Sequence, residues 1–273
     1  ETASKAKGSA GLNGWDSAEV SALAKHAPFI CDDFYVFFTT LTWRAEAEDL
    51  SEVIKKIYSW RIVGIPKRNS DDSRPIAVAS VWVRVWHRLL LAALPDPPPD
   101  QWSERGVVAA TASWQQVSPE VGIFAGAADA EIDLAKAYDS VRLDAAKAAI
   151  THAGAPKPVA ALLAASWRAP MHGHVQGELS VPLTPCCGLL AGDPCSLRVL
   201  ALILKPWHER ISKEVPEVRT WAYVDDRSIK AAPANDSTPM ETQALHVRTA
   251  LEITDDFDSA IGLSENKKKR QVW

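Results

Sequence analysis

No run of the 273-residue sequence is apolar for long enough to span a membrane, and no charged-then-apolar leader opens it. The expectation is therefore an intracellular protein, of nucleus or cytoplasm, neither secreted nor membrane-bound. Cysteine is scarce as well. Cys31, Cys186, Cys187 and Cys195 are all there are, none forms a C-x-x-C pair, and none stands with histidine at zinc spacing. That argues against a disulfide scaffold or a zinc module and predicts reduced thiols. An initial Met is missing too, so a piece of something longer is expected. Finally, there is no surplus of positive charge: 30 Lys and Arg stand against 34 Asp and Glu, a net charge of −4. Taken as an average, this argues mildly against nucleic acid, whose phosphates call for cations.

The average hides a division. Residues 55 to 88 hold Lys55, Lys56, Arg61, Lys67, Arg68, Arg74, Arg84 and Arg88, and a second basic run covers Lys267 to Arg270. Hydrophobic content of 47% with 23% charged residues is that of a globular chain with a sizeable core, in one or two domains. Asp16 followed by Glu19 reads as a capping box opening a helix to about His26. Residues 29 to 60 read as helical with a break near Thr39–Thr42. Ile62 to Ile65 is a short strand candidate. Val78 to Leu94 reads as a long apolar helix carrying Arg84, His87 and Arg88, ended by "PDPPPD". A strand over 121 to 134 precedes helices over 142 to 152 and 159 to 167, then a hairpin in "HGHVQGELSVPL". A Gly-rich loop leads into a helix over 195 to 213, and a long helix closes at Gly262. Hairpins among helices predict an α+β fold with a mostly antiparallel sheet.

Two adjacent acids, Asp225 and Asp226, end the apolar run "WAYV", although such pairs also occur at Asp32-Asp33, Asp71-Asp72 and Asp255-Asp256. An isolated acid pair reads as a solvated turn. Asp133 changes the weight of this one. Ile132 and Leu134 flank it as inward residues, which puts its carboxylate on the other face at a strand end. Two acids at strand ends repel unless a divalent cation lies between them.

"DLAKAYDSV" (133–141) resembles motif A of reverse transcriptases, and "YVDD" (223–226) is similar to their motif C hairpin. "GLLAGDPCS" (188–196) resembles the motif B loop and "GLSENKKKR" (262–270) motif D. "IPKRNSDDSRPIAVAS" (65–80) looks like the fingers motifs, and "GLNGW" (11–15) like the segment preceding them in non-LTR retrotransposon and group II intron enzymes. Six motifs in the family's order cover nearly the whole chain. The resemblance implies a right-hand polymerase palm, with the antiparallel sheet packed on helices. It implies a fingers region over 1–110 and a palm over 111–273, with no thumb following.

The resemblance also implies roles. Asp133, Asp225 and Asp226 would hold two Mg²⁺ ions, with Mn²⁺ as substitute, for transfer of a deoxynucleotide to a primer 3′-hydroxyl. Tyr138 would exclude a ribose 2′-hydroxyl. Lys67 and Arg74 would grip the triphosphate, and Lys269 would protonate departing pyrophosphate. Ala191 stands where the family places the glutamine that positions nucleotide and template. Implied partners are an RNA template, a DNA primer and deoxynucleotides, within a longer retroelement polyprotein. Three departures weigh against activity: Leu190-Ala191 in place of Pro-Gln, Asn13 in place of Asp, and an end directly after motif D. The alternatives are an inactive relic that only binds nucleic acid, and an RNA-dependent RNA polymerase, against which Tyr138 and Tyr223 argue.

Overall fold

A computed structural model describes residues 1–5, 10–47, 50–66, 73–96, 128–175, 178–232, 238–267 and 269–272. In chain order, the elements begin with helices α1 (Ser17–His26), α2 (Pro28–Arg44) and α3 (Ser51–Ile57). Strands β1 (Trp60–Pro66) and β2 (Ser73–Val78) lead into α4 (Val81–Leu91). After β3 (Asp129–Asp133) come the one-turn helix α5 (Ala137–Ser140), then α6 (Leu143–His152) and α7 (Lys157–Ser166). A hairpin of β4 (Met171–Val175) and β5 (Glu178–Leu179) precedes α8 (Ser196–Glu214). The chain continues through β6 (Val218–Tyr223), β7 (Asp226–Ala231), α9 (Met240–Ile261) and β8 (Gln271–Val272). The mixed α+β expectation holds. None of the described helices is long and apolar enough to cross a membrane.

The chain divides into two compact units, one of residues 1–95 and 142–196, the other of 96–141 and 197–273. The first is built on a sheet of order β2-β1-β4-β5. Its central pairing, β1 with β4, is parallel, whereas β1–β2 and β4–β5 are antiparallel. Tyr58, Trp60, Trp167 and Leu163 fill its core. The expected capping box at Asp16 and Glu19 is present on α1. Helix α2 runs without a break through Thr39–Thr42, because the Thr42 hydroxyl donates to the Phe38 carbonyl at 2.7 Å and so is satisfied within the helix. Helix α4 starts at Val81, later than Val78, because the Ser80 hydroxyl caps the Val83 N–H. "GLNGW" packs against that start. A Cβ on Gly11 would stand 2.5 Å from the Ser80 nitrogen, and the Trp15 ring meets Trp82 edge-on.

The second unit carries an all-antiparallel sheet of order β6-β7-β3-β8. Of the strand expected over 121 to 134, the structure shows Asp129–Asp133, and residues 121–127 lie outside the described residues. Ala130 and Ile132 point inwards, opposite Ile229 and Arg227 of β7. Arg227 is itself buried. Its guanidinium makes two hydrogen bonds to the Asp258 carboxylate of α9, at 3.0 and 2.5 Å, and lies 5.0 Å from the Trp207 ring centre. This pair ties β7 to the helix beneath it.

Candidate active site

The acids of the second unit are collected by strand register. Antiparallel pairing sets Asp133 opposite Asp226, and Asp226 opposite Tyr223 across the β6–β7 hairpin. Val224 and Asp225 form the turn. The Leu134 N–H donates to the Asp225 carbonyl at 3.4 Å, which ties that turn to the end of β3. Among the described residues only two that are not glycine have positive φ: Val224 at 58° and Lys136 at 52°. One directly precedes Asp225 and the other follows Asp133 by three positions. A β-branched residue in the left-handed region costs on the order of 1–3 kcal/mol, and such strain concentrates at functional sites.

Asp133 is held from its other side by the segment after α9. The Asn266 N–H donates to the Asp133 carbonyl at 2.8 Å, and its side-chain amide donates to Oδ2 at 3.2 Å. Lys269 Nζ lies 3.1 Å from the same oxygen. Arg270 pairs with Glu265, which bridges to Leu134. Asp226 feels the crowding. Burial raises its carboxyl above the ordinary range, and the charges of Asp225 and Asp133 raise it further, with Lys269 opposing. Tyr138 stands half-buried on α5, next to the buried Ala137.

The remaining expected residues belong to the first unit. Arg74 is exposed on β2, opposite Ile65, while Lys67 lies outside the described residues. Ala191 is partly buried and its carbonyl accepts from the Ala77 N–H at 2.7 Å. Gly192 is needed beside it, since φ is +109° and a Cβ would come within 2.4 Å of the Ala77 carbonyl. The loop thus docks by its backbone on β2.

Sequence reasoning missed what anchors that loop. Asp193 is fully buried, accepts from His87 Nδ1 at 2.8 Å and Trp167 Nε1 at 2.6 Å, and takes the Cys195 N–H at 2.9 Å. Burial would push its carboxyl up, but the attraction and hydrogen bonds of His87, with those of Cys195 and Trp167, bring it below the ordinary range. His87, Asp193 and Cys195 are also the one group of three such side chains, among the described residues, whose ligand atoms lie within 4.8 Å of one another. Asp193 already satisfies three donors, so the cluster acts as an anchor. Its members come from positions 106 and 108 apart, which no local pattern links.

The family described as "Reverse transcriptase (RNA-dependent DNA polymerase)" matches residues 65–273. No curated protein sequence matches the chain. Apo telomerase from Candida tropicalis, truncated from its C-terminal domain, superposes with a TM-score of 0.52 at 13% identity, covering 80% of this chain and 50% of that one. Telomerase from Candida albicans, in complex with a fragment of telomeric RNA, gives 0.55 at 14%, covering 82% and 44%. At these identities the likeness concerns the fold. The chain spans about half the length of the telomerases it resembles.

Proposed function

The chain belongs to the reverse transcriptase (RNA-dependent DNA polymerase) family, and from that premise we propose that it is the fingers–palm portion of an RNA-directed DNA polymerase of a non-LTR-type retroelement. Its substrates would be an RNA template, a DNA primer and deoxynucleotides, in a longer polypeptide. The observation that carries this reading is the register that sets Asp133 opposite Asp226 next to Asp225, with strained backbone at Val224 directly before Asp225.

Carboxylate oxygens are hard donors, and Asp133 and Asp226, opposite each other in register with Asp225 in the adjoining turn, suit a divalent cation of the magnesium type. Bound there, two Mg²⁺ ions, or Mn²⁺ in their place, would supply Lewis acidity to the primer hydroxyl and the departing pyrophosphate. The rest falls to the chain. Arg74 and Lys67 hold the triphosphate, Arg74 by its guanidinium fork. Lys269 hands a proton to the pyrophosphate, and its ammonium beside Asp133 supports that role. The buried Arg227–Asp258 pair keeps the hairpin seated while the acids work.

Tyr138 sets the sugar. Deoxynucleotides and ribonucleotides differ by one hydroxyl, so discrimination needs a clash built against it. Tyr138→Val in the full-length polypeptide should erode the preference for deoxynucleotides about tenfold or more, equal to about 1.4 kcal/mol, in side-by-side primer extension. A wild-type preference for ribonucleotides would overturn the reverse transcriptase reading in favour of an RNA polymerase. No extension with either nucleotide would favour the relic.

A further inference from the structure

The proposed reaction leaves two adjacent cysteines unused, Cys186 and Cys187. They lie in the first unit, just ahead of the Gly-rich loop that docks on β2. Cys186 is exposed and Cys187 partly so. Neighbouring side chains of an extended segment point to opposite faces. Here the backbone bends at both positions, and the two sulfurs come together. The Cys186 thiol donates to Sγ of Cys187 at 3.9 Å. A donor aimed at a sulfur favours its thiolate, the form that binds metals.

The pair is held from both directions. Upstream, Leu183 exchanges two backbone hydrogen bonds with Met171 of β4, each 2.8 Å. Downstream, Leu189 and Leu190 are buried, and the Leu190 carbonyl accepts from the Ser196 hydroxyl at 2.9 Å. A ligand would therefore meet two sulfurs already placed, and little ordering is left for it to impose. The other two cysteines are poor competitors. Cys195 is buried and donates to the His87 carbonyl, and burial with the charge of Asp193 raises its thiol well above the ordinary range. Burial, and then Asp32, raises the Cys31 thiol as well.

Distance decides what two sulfurs so placed can hold. Two thiolates bound at about 2.3 Å to a tetrahedral ion stand about 3.8 Å apart, almost the separation found here. A disulfide would need the sulfurs to close to about 2.05 Å, in a small ring that includes the intervening peptide bond and strains its planarity. Soft sulfur donors select soft ions over those of the magnesium type.

We propose that Cys186 and Cys187 form a dithiol site that takes one thiophilic ion, a zinc-type metal or trivalent arsenic, across both sulfurs. Each thiol gives up its proton as its sulfur–ion bond forms. A metal ion releases both protons to solvent. An arsenic(III) oxide loses its oxygen as water, which carries both protons away, and arsenic stays trivalent, so no oxidant is consumed. Water or a small thiol fills the remaining positions. The site goes beyond the polymerase reading and does not rest on it.

The test compares wild type with Cys186→Ser, Cys187→Ser and Cys31→Ser in the full-length polypeptide. Phenylarsine oxide is added in the presence of excess monothiol, and mass spectrometry after digestion locates the bound arsenic. Wild type and Cys31→Ser should retain it on the peptide that holds Cys186 and Cys187. Serine at either position of the pair should weaken retention by about a hundredfold or more, because the second sulfur no longer acts at high effective concentration. Zn²⁺ alone supplies the second arm. It should raise the melting temperature of wild type and of Cys31→Ser by more than that of either pair variant. Melting without ligand checks that each variant folds, and each of the two pair variants tests the site by itself. Arsenic retained without a response to Zn²⁺ would support the site and narrow it to the metalloid. Retention as strong in the pair variants as in wild type would overturn the proposal. So would a wild type that holds neither probe, including one whose pair oxidised glutathione closes to a disulfide, which would mark a redox pair instead.

Discussion

Asp193 and Asp226 show two opposite fates for an aspartate in this molecule. Asp193 is 5% exposed, yet its carboxyl titrates below the ordinary range, because a histidine, an indole N–H and a backbone N–H all point at it. Asp226 is far more open, yet it titrates above that range, because burial is joined by the charges of Asp225 and Asp133. Depth of burial therefore does not decide the direction in which a carboxyl shifts. The sign of the neighbours does. Donors around a carboxylate pull its titration down, and like charges around it push it up.

The largest effect expected from this contrast is on chemistry. Asp225→Asn should lower primer extension by about a thousandfold, as several kcal/mol of transition-state stabilisation are lost, while leaving the fold intact. Activity within tenfold of wild type would show that the crowded acids are not the reacting centre. Next comes stability at the other aspartate. Asp193→Ala should cost about 3–5 kcal/mol in urea unfolding, since His87 and Trp167 are left buried without their partner. A loss below about 1 kcal/mol would mean that the loop is held by its backbone on β2 alone.

The smallest effect has the opposite sign. A carboxyl whose folded value is raised contributes stability that is complete below its ordinary value of 3.8 and is lost as pH rises through the raised folded value. Asp226→Asn should therefore match wild type in acid and become the more stable of the two towards neutral pH. Unfolding curves of both proteins across that interval check it. A variant that is less stable at neutral pH would place Asp226 with Asp193, as a structural acid.

Much of the fold could be read locally. The capping box at Asp16 and Glu19 closes within one helical turn, and α9 stops at Gly262 with φ of 84°. Alternation around Asp133 set Ile132 and Leu134 inwards, as found. Errors arose where a local rule met a satisfied exception. Thr39–Thr42 looked like a helix break, but Thr42 bonds back to Phe38 and the helix continues. The parallel pairing of β1 with β4 joins Trp60 to Met171, and no turn signal links segments so far apart.

By itself the sequence determined the periodic elements, the glycines at Gly192 and Gly262, and the order of the motifs that hold Asp133, Asp225 and Lys269. These depend on neighbours along the chain, through backbone sterics and side-chain spacing. Only the tertiary structure decided which acid is satisfied and which is crowded. Asp193 meets His87 across 106 positions, and Asp133 meets Asp226 through strand register. The charge state of a group depends on what stands within a few ångströms of it in space, and folding, not sequence distance, sets those neighbours.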